Sequence, residues 1–260
     1  MSKLYLTLDD GPSTKFKAFV DFLYERNIPA IFFNRGDAME ERPEAVIYGI
    51  KKGYVMANHA YSHQKFSNLS LGECYHEISR TEVLLDELYK QADAPRETKY
   101  FRFPYMDRGM GPSLIETNNF SDMCLCGHEH LITTGLGHEL AYPDDKLIQK
   151  KKALQKHLSE QGFTNIPAEN VTIPWYVEAG FEQGIDSLCT FSTSDWVLTE
   201  RNMGRYGLNN LKDLTDLIDN DEGLKRKGSN HIILAHDQEE THDTTITLID
   251  HFLKKGFGFL

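Results

Sequence analysis

Hydrophobic and polar positions follow two rhythms along this chain. Short apolar runs read as buried strands: Leu4-Tyr5-Leu6-Thr7-Leu8, Ala30-Ile31-Phe32-Phe33, Tyr54-Val55-Met56, Tyr100-Phe101, Leu188-Cys189-Thr190-Phe191 and His231-Ile232-Ile233-Leu234-Ala235. Helical spacing appears between them. Phe16, Phe19, Val20 and Leu23 predict a helix at roughly 13–26, and Val46, Ile47 and Ile50 another that starts near Pro43 and ends at Gly53. Cys74, Ile78, Leu85 and Leu88 place a helix at about 71–91, with Cys74 as a small core residue. Further helices are expected at about 145–161 and 243–255. Val171-Thr172-Ile173 reads as a strand, 181–184 as a short helix start, 188–193 as a strand, 199–228 as polar and partly helical, and 257–260 as a last strand. Repeated strand–helix units predict a parallel sheet or barrel.

Five polar clusters each follow a strand-like run: Asp9-Asp10-Gly11-Pro12, Asn58-His59 with His63, Arg102 with Pro104-Tyr105, Asp195-Trp196, and His236-Asp237. In barrels of parallel strands, catalytic groups sit at the C-terminal ends of several strands. Asp, Asp, His, His, Arg, Asp and His so placed predict a metal-dependent hydrolytic site. His59 and His63 are spaced i, i+4, so a helical turn would face both imidazoles the same way. A catalytic zinc takes three protein ligands and leaves one position for water; Asp9 and Asp10 are candidates for a carboxylate ligand.

Composition bounds the rest. The 260 residues are 40% hydrophobic and 26% charged, ordinary for a folded domain. A net charge of −11 argues against nucleic acid and anionic membranes as partners. No apolar run reaches the length of a membrane span, and the first residues lack a secretory pattern, so the expected location is the cytoplasm, the alternative being a leader absent from this chain. Four scattered cysteines suggest no disulfide framework.

The sequences Thr7-Leu8-Asp9-Asp10-Gly11-Pro12, Asn58-His59-Ala60-Tyr61-Ser62-His63, Arg102-Phe103-Pro104-Tyr105, Asp195-Trp196 and Leu234-Ala235-His236-Asp237 resemble, in order and spacing, the five motifs of the polysaccharide deacetylase (NodB-homology, carbohydrate esterase family 4) family. The resemblance is close over 3–105 and 188–260 and poor between them. It implies an α/β fold, a distorted (β/α) barrel of about seven strands, forming one domain over 1–260. It also implies a divalent metal, Zn2+ or alternatively Co2+ or Ni2+, and hydrolysis of an N-acetyl or more rarely O-acetyl group on a sugar. By the same resemblance, Asp10, His59 and His63 hold the metal. Asp9 is the general base toward the attacking water and Arg102 keeps Asp9 ionised. His236 is the general acid, with its pKa raised by Asp195. Tyr105 helps polarise the carbonyl through its backbone N–H, and Trp196 and Leu234 line the acetyl pocket.

Two departures stand out. Ala60 replaces a family Ser or Thr whose hydroxyl braces the loop between the histidines, which predicts weaker metal binding. The chain is also longer at about 106–144, a region rich in Gly, Met, His, Asn and Asp with no clear period. Irregular segments of that length are often lids or binding loops, and this one is expected over the active-site face. Within it Cys124, Cys126, His128 and His130 alternate, as a second metal site or as a strand with buried thiols. Trp175 and Tyr176 read equally as a sugar platform or as core, and His242 as a surface residue. The expected substrate is a small-molecule or oligosaccharide N-acetylated amino sugar. The alternatives are another C–N bond, in a cyclic amide or a formylated sugar on a lipid or nucleotide carrier, and an inactive sugar-binding module.

Overall fold

The computed structural model describes residues 2–109, 145–178 and 181–260. Strands β1 (Lys3–Asp9), β2 (Ala30–Asn34), β3 (Val55–Asn58), β4 (Phe191–Ser192), β5 (His231–His236) and β6 (Gly258–Phe259) form one sheet in the order β3-β2-β1-β5-β4, with β6 against the start of β1. Every pairing is parallel. Beyond β3 a single parallel bridge joins Asn58 to Phe101. The protein is thus a parallel α/β fold with six described strands, against about seven expected.

Alternation along β1 explains its two environments. Leu4, Leu6 and Leu8 point to one face, with Phe32, Met56, Ile233 and Ala235. That face is covered by α1 (Phe16–Glu25), α3 (Pro43–Lys51) and α8 (His242–Lys254). Tyr5 points to the other face with Phe33, Ala57, Ile232 and Leu234. The cover there is an irregular stretch that buries Ile166, Val171, Ile173, Tyr176, Phe181 and Cys189. A sheet buried on both sides needs continuous apolar strands, as the sequence has.

The remaining α-helices among the described residues are α2 (Gly36–Glu41), α4 (Leu71–Gln91), α5 (Asp145–Glu160), α6 (Pro174–Glu178) and α7 (Leu211–Asn220). A capping box of Ser70 and Glu73 starts α4, satisfying two N–H groups that a helix start leaves open. Cys74 is fully buried, as the spacing predicted.

Register aligns the strand ends. Asp9 sits opposite both Phe33 and His236, and Asn34 opposite Asn58. The polar clusters therefore meet at one edge.

Three expectations are corrected. Residues 171–173 are not a strand: Thr172 N–H donates to the Ser229 hydroxyl, and Pro174 opens α6. The strand expected at 188–193 shrinks to Phe191–Ser192, because the Thr190 hydroxyl accepts from Ile232 N–H in place of a ladder carbonyl. His242 is buried at 7% exposure, its ring edge-on to Phe19 with centroids 5.4 Å apart.

Candidate active site

The floor of the site is built from β1, β3 and the loop after β3. Asp10 leaves β1 with φ 73°, a left-handed turn that re-aims its carboxylate. Ala60 and His63 also take positive φ, 61° and 55°, so the two histidines converge through a turn and not on the helix that their spacing suggested. His59 Nε2 and His63 Nε2 lie 3.3 and 2.8 Å from Asp10 Oδ1, and ligand atoms of all three fall within 4.8 Å of one another.

His59 Nδ1 lies 2.9 Å from the Arg102 carbonyl, which fixes it as the N–H and leaves Nε2 as the lone-pair nitrogen. Asp10 Oδ1 is buried with no well-aligned hydrogen bond among the described residues. Two imidazole nitrogens and one carboxylate oxygen gathered within 4.8 Å of one another fit a divalent cation of zinc type. The nearby histidines hold the Asp10 carboxyl well below its usual value even though burial raises it.

Asp9 stands beside this cluster, with Oδ2 3.7 Å from His59 Nε2. Its Oδ1 accepts from Arg102 Nη1 at 2.8 Å. The guanidinium is fully buried and fixed on three sides. It donates to Thr7 Oγ1 at 2.7 Å and to the Ser187 carbonyl at 2.7 Å, and it lies 4.3 Å over the Phe33 ring. The contact to Ser187 crosses from the Phe101 end of the sheet toward β4.

His236, at the end of β5, leans on Asp195. Nδ1 donates to Asp195 Oδ1 at 2.7 Å and the His236 N–H to Oδ2 at 2.8 Å. Thr245 Oγ1 also donates to Oδ2, at 2.7 Å. Burial lowers the imidazole pKa, but Asp195, with Asp10 and Asp9, outweighs it and lifts the value to about 9. The pairing holds the Asp195 carboxyl low against its own burial. A carboxylate held by Arg102 thus shares one cavity with a protonated imidazole, the two states a base and an acid require.

Two braces hold the loops. Glu77, on α4 and 8% exposed, accepts from Tyr61 N, Ser62 N and Ser62 Oγ at 3.0, 2.7 and 2.8 Å. Asn58 Oδ1 accepts from Ala60 N. The loop lacking a hydroxyl at position 60 is therefore anchored from the helix. Asp237 accepts from Ser13 N and Oγ at 3.0 and 2.7 Å. The Asp237 and Asn34 side chains crowd Gly11, where a Cβ would fall 2.5 and 2.7 Å from them, which explains glycine after the acidic pair. Burial pushes the Asp237 carboxyl up to about 6.

The cavity above has a volume of about 530 Å3. Asp9, Asp10, His59, His63, Tyr105, Trp196, Leu234 and His236 line it, whereas Arg102 and Asp195 lie behind it, fully buried. All ten residues singled out in the sequence come together here. Sequence reasoning missed Arg35, Lys65, Arg201, Asn202, Arg205 and Gln238, which also line the cavity. Arg35 follows the end of β2, so the strand-end rule would have found it; the stretch holding Arg201 and Arg205 has no period to follow. Tyr105 has φ 59° and its ring lies 4.6 Å from that of His63. Tyr176 is fully buried in the inner core with Trp175 packed on it, which settles that pair as core. The expected segment at 106–144 is described only to 109, where Met106 lines the cavity; Cys124, Cys126, His128 and His130 lie outside the described residues.

A family model for polysaccharide deacetylase matches residues 2–110. A peptidoglycan-N-acetylglucosamine deacetylase of Bacillus cereus is 33% identical over 105 residues, 40% of this chain and 36% of that protein. A chitooligosaccharide deacetylase of Sinorhizobium fredii is 30% identical over 103 residues, 39% of this chain and 46% of that one. These alignments span less than half of each relative. Among solved structures, a family 4 carbohydrate esterase from Streptomyces lividans superposes with TM-score 0.55 at 18% identity, covering 99% of this chain and 91% of that one. A family pseudoenzyme from Bacillus anthracis gives TM-score 0.55 at 14% identity, covering 99% and 63%. At such identities the superpositions show the fold alone.

Proposed function

We propose, from the match of residues 2–110 to the polysaccharide deacetylase family, that this chain is a metal-dependent hydrolase removing the N-acetyl group of an N-acetylated amino sugar. One observation carries this reading: Asp10, His59 and His63 converge in a cavity that also holds the Arg102-bound carboxylate of Asp9 and the Asp195-bound imidazole of His236. The deacetylases among the relatives point the same way.

In this reading Asp10, His59 and His63 hold a divalent cation, zinc or alternatively cobalt or nickel. Bound there, the ion supplies a Lewis acid that polarises the acetyl carbonyl and makes water acidic near neutral pH. Asp9 takes the proton of the attacking water. Arg102 donates a charge-assisted hydrogen bond to Asp9 and fixes which oxygen remains available. The Tyr105 N–H donates toward the developing oxyanion. His236 gives its proton to the leaving amine, which departs poorly otherwise. Asp195 holds the imidazole in position and charged. Trp196 and Leu234 shape the space for the acetyl methyl.

The same reading takes residues 1–260 as one domain, with the 106–144 segment over the cavity mouth. No helix among the described residues is long and apolar enough to cross a membrane. The test is acetate release from an N-acetylated chitooligosaccharide by metal-loaded protein, with and without a chelator. Chelator-sensitive release is expected. Sugar binding without release would favour a binding module, and turnover confined to cyclic amides or formylated sugars would favour the related C–N hydrolase.

A further inference from the structure

We propose that the cavity takes its amino sugar as a phosphorylated species, with the phosphate held by Arg201 and Arg205. The sugar part rests on the deacetylase reading above; the anion site does not.

The chain has a net charge of −11, yet its catalytic cavity is rimmed by cations. Among the described residues, the carboxylates lining it are Asp9 and Asp10, and both are committed at the floor, one to Arg102 and the other to the imidazoles. Around them stand Arg35, Lys65, Arg201 and Arg205. Arg35 already grips Asp37 through both ends of its fork, with Nε and Nη2 at 3.0 and 2.5 Å. The Lys65 ammonium lies 5.4 Å over the Tyr105 ring.

Arg201 and Arg205 differ. Both are exposed, and neither forms an ion pair among the described residues. The Arg205 guanidinium lies 6.0 Å over the Trp196 ring, so it is held at the cavity wall that Trp196 forms. Glu239 and Glu240 line the adjoining groove, which Arg201 shares, and not this cavity.

Two guanidinium forks with no carboxylate paired to them among the described residues match a phosphate in number. A phosphate monoester carries about −1.5 to −2 near neutral pH, whereas a sugar carboxylate carries one charge and needs one fork. Arg–phosphate pairs are often bidentate, and so orient the ligand as well as attract it. Gathered positive charge at the mouth of an acidic protein also raises the local concentration of an anionic substrate.

The test uses metal-loaded protein and ligands without an acetyl group, so that binding is read apart from turnover. Calorimetry compares glucosamine 6-phosphate with glucosamine on wild type and on Arg201→Gln/Arg205→Gln. We expect the phosphosugar to bind at least about tenfold tighter to wild type. The ratio should fall to near one in the double variant, and the advantage should shrink with salt. Equal affinities in wild type would overturn the proposal. So would a phosphate advantage that survives in the double variant but vanishes on removing the metal, because the metal would then be the anion site. Muramic acid binding as tightly as the phosphosugar would overturn the choice of phosphate. A parallel assay follows acetate release from N-acetylglucosamine 6-phosphate and N-acetylglucosamine. Equal kcat/KM for both would sink this proposal and leave the deacetylase reading standing. Tight phosphosugar binding with no acetate released from either would do the reverse.

Discussion

Replacing Asp195 with Asn should move the pH profile by an amount the structure sets. Asp195 is fully buried and holds His236 through Oδ1 at 2.7 Å and Oδ2 at 2.8 Å. Burial pulls the imidazole pKa down from 6.5, and Asp195 leads the carboxylates that lift it to about 9. Asn keeps the shape and removes the charge, so burial then acts with less opposition. A return to 6.5 would cost the imidazolium about 3 kcal/mol, at about 1.4 kcal/mol per pK unit. At about pH 7.5 the protonated share of His236 would fall from nearly all to about a tenth. The basic limb of the kcat/KM profile should therefore drop by about two units or more. The rate at that pH should fall at least about tenfold, and the loss should be smaller at pH about 6. The stability sign follows. The folded pKa is raised, so the advantage of wild type over the variant is full below 6.5 and is lost as pH rises through about 9. Kinetics on an acetylated oligosaccharide across this range provide the assay. A basic limb unchanged within about half a unit, with only a uniform fall in rate, would refute the pairing as the source of the acid.

His236→Ala should lower kcat by at least about a hundredfold while leaving metal content unchanged; metal loss restored to full rate by added zinc would contradict an acid role. Glu77→Ala should leave the Tyr61 and Ser62 N–H groups without their acceptor and weaken metal affinity about 10–100-fold. An unchanged affinity, read by titration against a competing chelator, would show that Glu77 does not position the histidine loop. His231, 1% exposed, is held neutral by burial, its pKa down from 6.5 to about 4. Folding should lose about 3 kcal/mol on this account as pH falls from 6.5 to 4, and His231→Leu should lose correspondingly less; parallel urea-midpoint curves for the two proteins would contradict it.

The strand ends were legible because a buried parallel strand needs an unbroken apolar run, and the first polar residue after it marks the sheet edge. Asp9, His59 and His236 were found on that rule, and the motif resemblance supplied their expected roles. What stayed hidden depends on contacts that no local pattern records. Glu77 has the spacing of any helix glutamate, and only the fold shows it buried against the 61–62 backbone. The convergence of His59 and His63 comes from positive φ at Ala60 and His63, which non-glycine residues disguise. β4 was overestimated because the Thr190 hydroxyl replaces a ladder bond. Arg201 and Arg205 sit among turns without a period, so their place at the cavity rim comes from the tertiary fold alone.

Metal content measured on purified wild type, Asp9→Asn and His59→Ala/His63→Ala is the most direct test of the central claim. One divalent ion per chain is expected in wild type and in Asp9→Asn, with the latter at least about a hundredfold slower. The double histidine variant should hold none. Full occupancy in that variant, or loss of the ion in Asp9→Asn alone, would contradict the division between the residues that hold the metal and the one that takes the proton.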